Sequence, residues 1–364
     1  MAMKRYPLAT LAMALFISGL NSIAGATPLN NGDAEAAILN SAFIVPVNDS
    51  STATDGKILQ FDSRAGAFVK VVASNQGSSQ IQGLTLGPDG YIYGSYFNSI
   101  SNNDGRVLRI NPIGTVTETF VSPGSGNLRF PLGLTFGPDS NLYVANNLGN
   151  VIRYNGTTGE FIDVFATGLL VPQDVVFGPD GDLYVSNGVG DSISRFNGQT
   201  GTFSGFFVAP GAFGLDAPIG MAFGPSQDLY VASFPSNTTF RFRAGSGDLI
   251  STFDLPLQDG IATLLDLAFG PDKSLYASVR SSGTKIYRID PDSGMIIDEF
   301  ASLPSPLAFN TGMFFVDQAC SELGSVEGGA SGCFAPSTVP EPTTIVLLGV
   351  GLLAIPATFK RKQA

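Results

Sequence analysis

Two aspartates, Asp174 and Asp266, hold the same place in two copies of a recurring strand and are the first candidates for chemistry in this chain. Four residues at the ends of other strands join them: Asn98, Asn146, Asn187 and Arg280. Carboxylate and amide oxygens in this mixture suit a hard cation, which makes Asp174, Asp266, Asn146 and Asn187 a candidate Ca²⁺ ligand set. With Asn98 and Arg280 they also make a candidate site for a polar ligand. The competing reading is structural, because Asn and Asp routinely solvate loops and cap strand ends. The chain contains no histidine, so the commonest general base and transition-metal ligand is missing. No residue stands out as catalytic.

The elements that must position these groups are repeats. One segment occurs five times: GLTLGPDGYIYGS (83–95), GLTFGPDSNLYVA (133–145), DVVFGPDGDLYVS (174–186), GMAFGPSQDLYVA (220–232) and DLAFGPDKSLYAS (266–278). Each reads as an apolar strand, a Gly-Pro turn and a second strand carrying a tyrosine, which is a β-hairpin. A second segment alternates with it, from ILQFDSRAGAFVKVV (58–72) to IYRIDPDSGMIIDEF (286–300). Its turn glycines Gly66, Gly114, Gly159, Gly201, Gly247 and Gly294 lie 48, 45, 42, 46 and 47 residues apart. Four strands in a period of 40 to 50 residues predict a β-propeller blade.

The first hairpin occurs five times and the second six, and the chain ends supply the difference. Ala42 to Asn48 has the pattern of a second strand, and Thr311 to Val316 that of a first strand. The expected fold is therefore all-β: a six-bladed propeller over 42–317, with N- and C-terminal strands sharing one blade. Such closure leaves no open ring edge. The Gly-Pro turns then lie on one face. Asp174, Asp266, Asn98, Asn146, Asn187 and Arg280 collect at the mouth of the central channel on the other. The third-position arginines Arg109, Arg153, Arg195, Arg241 and Arg288 recur once per blade, which predicts structural pairing with turn carboxylates such as Asp62, Asp290 or Asp292.

The Gly-Pro-Asp-Gly-x-Leu-Tyr-Val pattern resembles NHL-repeat propellers and the wider regucalcin/gluconolactonase-like and streptogramin-lyase-like group. The resemblance implies the fold over roughly 42–317 and brings a metal-dependent lactonase or lyase into consideration. The regucalcin-like enzymes hold a metal with a glutamate, an asparagine and aspartates, for which Asn146, Asn187, Asp174 and Asp266 are the nearest matches here. Glu118, Glu160 and Glu299 fall in outer strands or outside the repeats, and the lyases depend on a histidine that is absent. An enzyme is therefore the alternative rather than the leading expectation, and Ca²⁺ is the one cofactor the site suggests.

Both termini carry addresses. Lys4 and Arg5, the apolar run Leu8–Leu20 and the small residues Ala24 and Ala26 predict a signal peptide over 1–26. Residues 27–41 are a lead into the ring, and 318–338 read as a Gly/Ser-rich stalk. Cys320 and Cys333 are expected to form a disulfide in an oxidising compartment, with a free thiol pair as the alternative. The tail 339–364 joins Pro340, Glu341 and Pro342 to an apolar run from 343 to 359 and the basic Lys360, Arg361 and Lys362. Seventeen apolar residues are at the short limit of a membrane-spanning helix, and the basic cluster stays cytoplasmic. This order of parts resembles the PEP-CTERM sorting signal, which implies an exosortase-type transpeptidase as partner. It also implies transient anchoring in the inner membrane through 343–359, then a cell-surface or extracellular destination.

Charge narrows the partners further. Removing both terminal segments takes away five basic residues and one acidic residue, leaving 14 Lys and Arg against 29 Asp and Glu. An acidic body repels phosphate backbones, so nucleic acid is not an expected partner. The leading expectation is an exported propeller acting as a binding or scaffold module for a matrix polysaccharide or protein, such as exopolysaccharide-producing bacteria assemble.

Overall fold

The computed structural model describes residues 41–49, 56–74, 79–98, 101–112, 117–234, 236–255, 263–280, 284–303, 307–309 and 312–317. The expected signal peptide, stalk, Cys320, Cys333, Pro340–Pro342 and anchor helix lie outside them. Six antiparallel sheets form the blades of a propeller. Its inner strands are Ser79–Leu86, Pro131–Phe136, Pro172–Phe177, Pro218–Phe223 and Thr263–Phe269 in the second to sixth blades. The first blade takes Ser41–Asp49, Gly56–Asp62 and Phe68–Ser74 from the N-terminal side, and Leu307–Phe309 with Phe314–Asp317 from the C-terminal side. Both C-terminal strands pair with Ser41–Asp49, so the ring closes in the predicted blade.

The signature tyrosine explains how blades adhere. Tyr143 meets Phe165 of its own outer strand at 4.8 Å and Phe177 of the next blade's inner strand at 4.9 Å, both edge to face. Tyr184 repeats this with Phe207 and Phe223, and Tyr93 with Phe120 and Phe136. Each such pair adds about 0.5–1.5 kcal/mol to plain burial. The phenol needs a partner because it is buried, and the turn supplies one. Tyr93, Tyr143, Tyr184 and Tyr276 donate to Asp89, Asp139, Asp180 and Asp272 at 2.8 to 3.1 Å. Burial pushes these phenols well above their ordinary pKa.

The repeated arginines complete that lattice. Arg109 and Arg195 pair with Asp89 and Asp180 at 2.6 and 2.7 Å, and Arg241 pairs with Asp228 and Asp292. The structural reading of the arginines therefore holds, and Asp292 is a partner as expected. Asp62 and Asp290 are not. Each instead folds its own turn by accepting backbone N–H groups two and three residues ahead, a local use of a short carboxylate. The outer hairpin also explains its glycine. Gly159 and Gly201 have φ of 73° and 70°, and each lies against a phenylalanine carbonyl of the preceding blade, Phe120 or Phe165.

Candidate functional site

Asp174 and Asp266 belong to a ring of six equivalent positions around the central axis. The inner strands of the second to sixth blades depart from regular pairing here, for example between Pro172 and Val175 and between Leu264 and Asp266. An extra residue in one strand leaves backbone groups without ladder partners. The residues at this point, in blade order, are Gly312, Gly83, Gly133, Asp174, Gly220 and Asp266. Four glycines thus accompany the two acids, and space is the reason. A Cβ on Gly133 would stand 2.3 Å from Asp174 Oδ1, and one on Gly220 would stand 2.2 Å from Asp266 Oδ1. Each carboxylate fills the gap left by the glycine of the preceding blade.

Both acids reach forward to the following blade. Asp174 Oδ2 accepts from Met221 N at 3.0 Å, and Oδ1 accepts from Val175 N at 2.9 Å. Asp266 Oδ2 accepts from Gly312 N at 2.6 Å and Met313 N at 2.9 Å, which fastens the sixth blade to the closing strand. The side chains are 2% and 1% exposed, so little water reaches them. Burial raises the pKa of Asp266 to about 7, against the lowering pull of the Met313, Gly312 and Leu267 amides. Burial also holds Asp174 well above the ordinary carboxylate range, and the charge of Asp266 adds to that rise. Asp266 Oδ1 has no partner in good hydrogen-bonding geometry.

A serine one strand out supports the clasp. Ser186 Oγ accepts from Asp174 N at 3.0 Å and donates to Ile219 O of the next blade at 2.8 Å. Ser95 does the same between Gly83 N and Leu132 O. Ser278 pairs in register with Asp266, yet its buried hydroxyl has no partner. Ser186→Ala should therefore cost about 1–3 kcal/mol, because it orphans two buried backbone groups. Ser278→Ala should cost nearly nothing. Denaturant unfolding of the two variants checks the contrast, and equal losses would refute the assigned roles.

The asparagines do different work. Asn146 Oδ1 accepts from Arg129 N and Phe130 N, and Nδ2 donates to Asn127 O and Asn150 Oδ1. Asn187 Oδ1 accepts from Leu170 N, while Nδ2 donates to Ser192 and Ser194. Both sit at the end of a second strand, as predicted, but they tie down the loops that enter and leave their blades. Asn98 also ends a second strand, and Arg280 ends its strand exposed to solvent. The predicted Ca²⁺ set thus has most of its oxygens in use within the fold. Among the described residues no group of three or more acidic or cysteine side chains is placed to hold a metal ion. These residues do not fit a calcium cage. Sequence reading missed the serines and the axial glycines, although their alternation, Gly or Asp in one strand and Ser or Ala in the next, stands in the repeats.

A ring of six antiparallel blades, five of four strands and one completed by both chain ends, with polar axial clasps, defines a six-bladed β-propeller. Its tail carries a sorting address: residues 338–362 match the model described as a PEP-CTERM protein-sorting motif. Among solved structures, the chain is similar to one in the nidogen/laminin complex, with TM-score 0.60, 15% identity, and coverage of 76% of this chain and 98% of that one. A periplasmic gluconolactonase of Pseudomonas aeruginosa gives TM-score 0.53 and 18% identity over 70% of this chain and 81% of its own. A catalytically inactive virginiamycin B lyase variant of Staphylococcus aureus, solved with quinupristin, gives 0.51 and 16% over 79% and 94%. At these identities the likeness is one of fold. The search of curated proteins gives no match.

Proposed function

We propose that the chain is an exported propeller that works as a binding or scaffold module at the cell surface or in an extracellular matrix. The observation that carries this reading is the sorting motif at residues 338–362, joined to a rigid ring. A sorting motif implies recognition by an exosortase-type transpeptidase and export through the membrane. The axial chemistry supports a non-catalytic ring. Asp174, Asn146 and Asn187 are engaged in holding blades and loops together, which leaves little for a substrate. The likeness in fold to a chain of the nidogen/laminin complex is consistent with a ring that takes part in a protein–protein assembly. For this chain a matrix protein or polysaccharide is the proposed partner.

Fractionation of producing cells tests the reading. The protein should appear in the surface or matrix fraction, and deleting residues 339–364 or the exosortase should remove it from there. An intact mass that still includes Lys360–Ala364 would argue against processing. Retention in the cytoplasm would overturn the reading altogether.

One observation favours the alternative, a metal-dependent lactonase or lyase. Asp266 has a free Oδ1 and a pKa near 7, which are properties of a general acid or base. Lactone hydrolysis lost in Asp266→Asn would establish that alternative.

A further inference from the structure

The chain enters and leaves the ring in the first blade, and both ends do so on one face. Ser41, which begins the strand Ser41–Asp49, pairs directly with Asp317, which ends the strand Phe314–Asp317. Register tells which face this is. Asn48, near the other end of Ser41–Asp49, pairs with Gly56, as Asn146 pairs with Asn150 in the third blade. The strand Leu142–Asn146 begins just after its Gly-Pro turn and ends at the channel-mouth side. Ser41 and Asp317 therefore lie at the Gly-Pro-turn face. Ring closure explains the placement, because the two chain ends stand where the other blades have their Gly-Pro turn.

The two faces differ in chemistry. Asp89, Asp139, Asp180 and Asp272 are exposed on the turn face, whereas Leu148, Leu170, Val189 and Phe234 are exposed on the mouth-side loops. Side-chain chemistry alone would lay the mouth on a bilayer, and the tether pulls the other way. Residues 318–338 lead from the turn face to the sorting motif at 338–362. A Gly/Ser-rich linker of that length spans about 25 Å end to end. With the mouth down, it would also have to climb the side of the ring, about 17 Å for a five-residue strand such as Asn150–Tyr154. The apolar residues do not offset this. They are single, partly covered side chains on separate loops, not the continuous apolar helix face that holds a protein in the interface. Repulsion of the turn carboxylates by anionic headgroups is weak at such a distance, since the screening length is about 8 Å at physiological salt.

We propose that the anchored ring keeps its Gly-Pro-turn face toward the bilayer that its tail enters, and presents the channel mouth outward. The inference rests on the membrane-anchored sorting proposed above and gives it a direction: the mouth-side loops are the surface that a matrix partner meets first. It can fail while the export and scaffold role stands.

Fluorescence energy transfer to a headgroup-linked acceptor tests it, with the full-length chain in phosphatidylethanolamine/phosphatidylglycerol vesicles. Single cysteines in a Cys320→Ser/Cys333→Ser background carry the donor. Thr157→Cys and Met295→Cys mark the turn face of the third and sixth blades, and Leu148→Cys and Arg280→Cys mark the mouth side of the same blades. All four positions are exposed. In both blades, transfer is expected to be greater from the turn-face position than from the mouth-side one. Greater transfer from the mouth side, or equal transfer from the two faces, overturns the proposal. Flotation of the vesicles separates this failure from that of the anchored reading. A chain left behind when the vesicles float would overturn that reading, and the orientation with it.

Discussion

Replacing Asp266 with asparagine is expected to stabilise the ring above neutral pH and to flatten the pH dependence of its unfolding. Asp266 is buried and has a pKa of about 7 in the folded chain, against a reference value of 3.8. Between those two values the folded state holds a proton that the unfolded chain has released. Stability must therefore fall as pH rises through this window, from about 4 to about 7, with the full penalty present above it. The shift corresponds to about 4 kcal/mol as an order of magnitude. Asparagine keeps an oxygen for the Gly312 and Met313 amides but never ionises. Its NH₂ group stands where Oδ1 already lacks a partner, so any cost there is similar at all pH values. The difference in unfolding free energy between variant and wild type should thus grow in the variant's favour, by a few kcal/mol, from pH 4 to pH 8. Asp174 leaves a residual slope of the same sign, because its pKa is also raised. Denaturant titrations at pH 4, 6 and 8 measure this directly. Curves that stay parallel would mean that Asp266 is ionised and well solvated in the folded chain.

Gly220→Ala is the second large effect. The new methyl would stand 2.2 Å from Asp266 Oδ1 and 2.8 Å from its Cα, well inside van der Waals contact. The carboxylate cannot swing aside without releasing Gly312 N and Met313 N, which join the sixth blade to the closing strand. Overpacking in a well-filled core costs about 1–3 kcal/mol, and a site with a fixed neighbour belongs at or above the top of that range. Gly133→Ala should behave alike against Asp174, whose Oδ1 and Cα lie 2.3 and 2.7 Å from the added carbon. A double-mutant cycle separates this clash from a general loss of glycine flexibility. Asp266→Gly removes the carboxylate, so the pair Gly220→Ala with Asp266→Gly should be more stable than the sum of the single losses. Strict additivity would show that the two positions do not press on each other.

Much of the fold was legible because propeller blades repeat. The turn glycines mark the period, and the tyrosine strands and Gly-Pro turns mark the inner hairpin. The two unmatched segments, at 42–48 and 311–316, mark the closing blade. The arginines were legible as structural through their fixed offset, although Asp62 and Asp290 proved to fold their own turns. The site was harder to read. Which polar groups face a ligand depends on hydrogen bonds made across blades, and no local pattern records those. Asn146 looks like a ligand at a strand end, but its oxygen holds the amides of Arg129 and Phe130 from the preceding loop. Asp174 looks like a free carboxylate, but it fills the volume that Gly133 leaves open and accepts from Met221. The informative signal was the glycines at the matching positions. Their meaning appears only once neighbouring blades are seen to press together at the axis.

The account rests on a central channel whose polar groups hold the ring together rather than bind an ion or a substrate. Thermal unfolding of the mature protein at pH 7.5, with Ca²⁺, Mg²⁺, Mn²⁺ or Zn²⁺ against chelator, tests that most directly. A ligand at a hundredfold excess over its dissociation constant adds about 2.7 kcal/mol of stability to a ring that binds it only when folded. The account predicts no ion-dependent rise in melting temperature for the wild type or for the Asp174→Asn/Asp266→Asn double variant. A clear rise in the wild type that disappears in the double variant would contradict it and make the channel mouth a metal site.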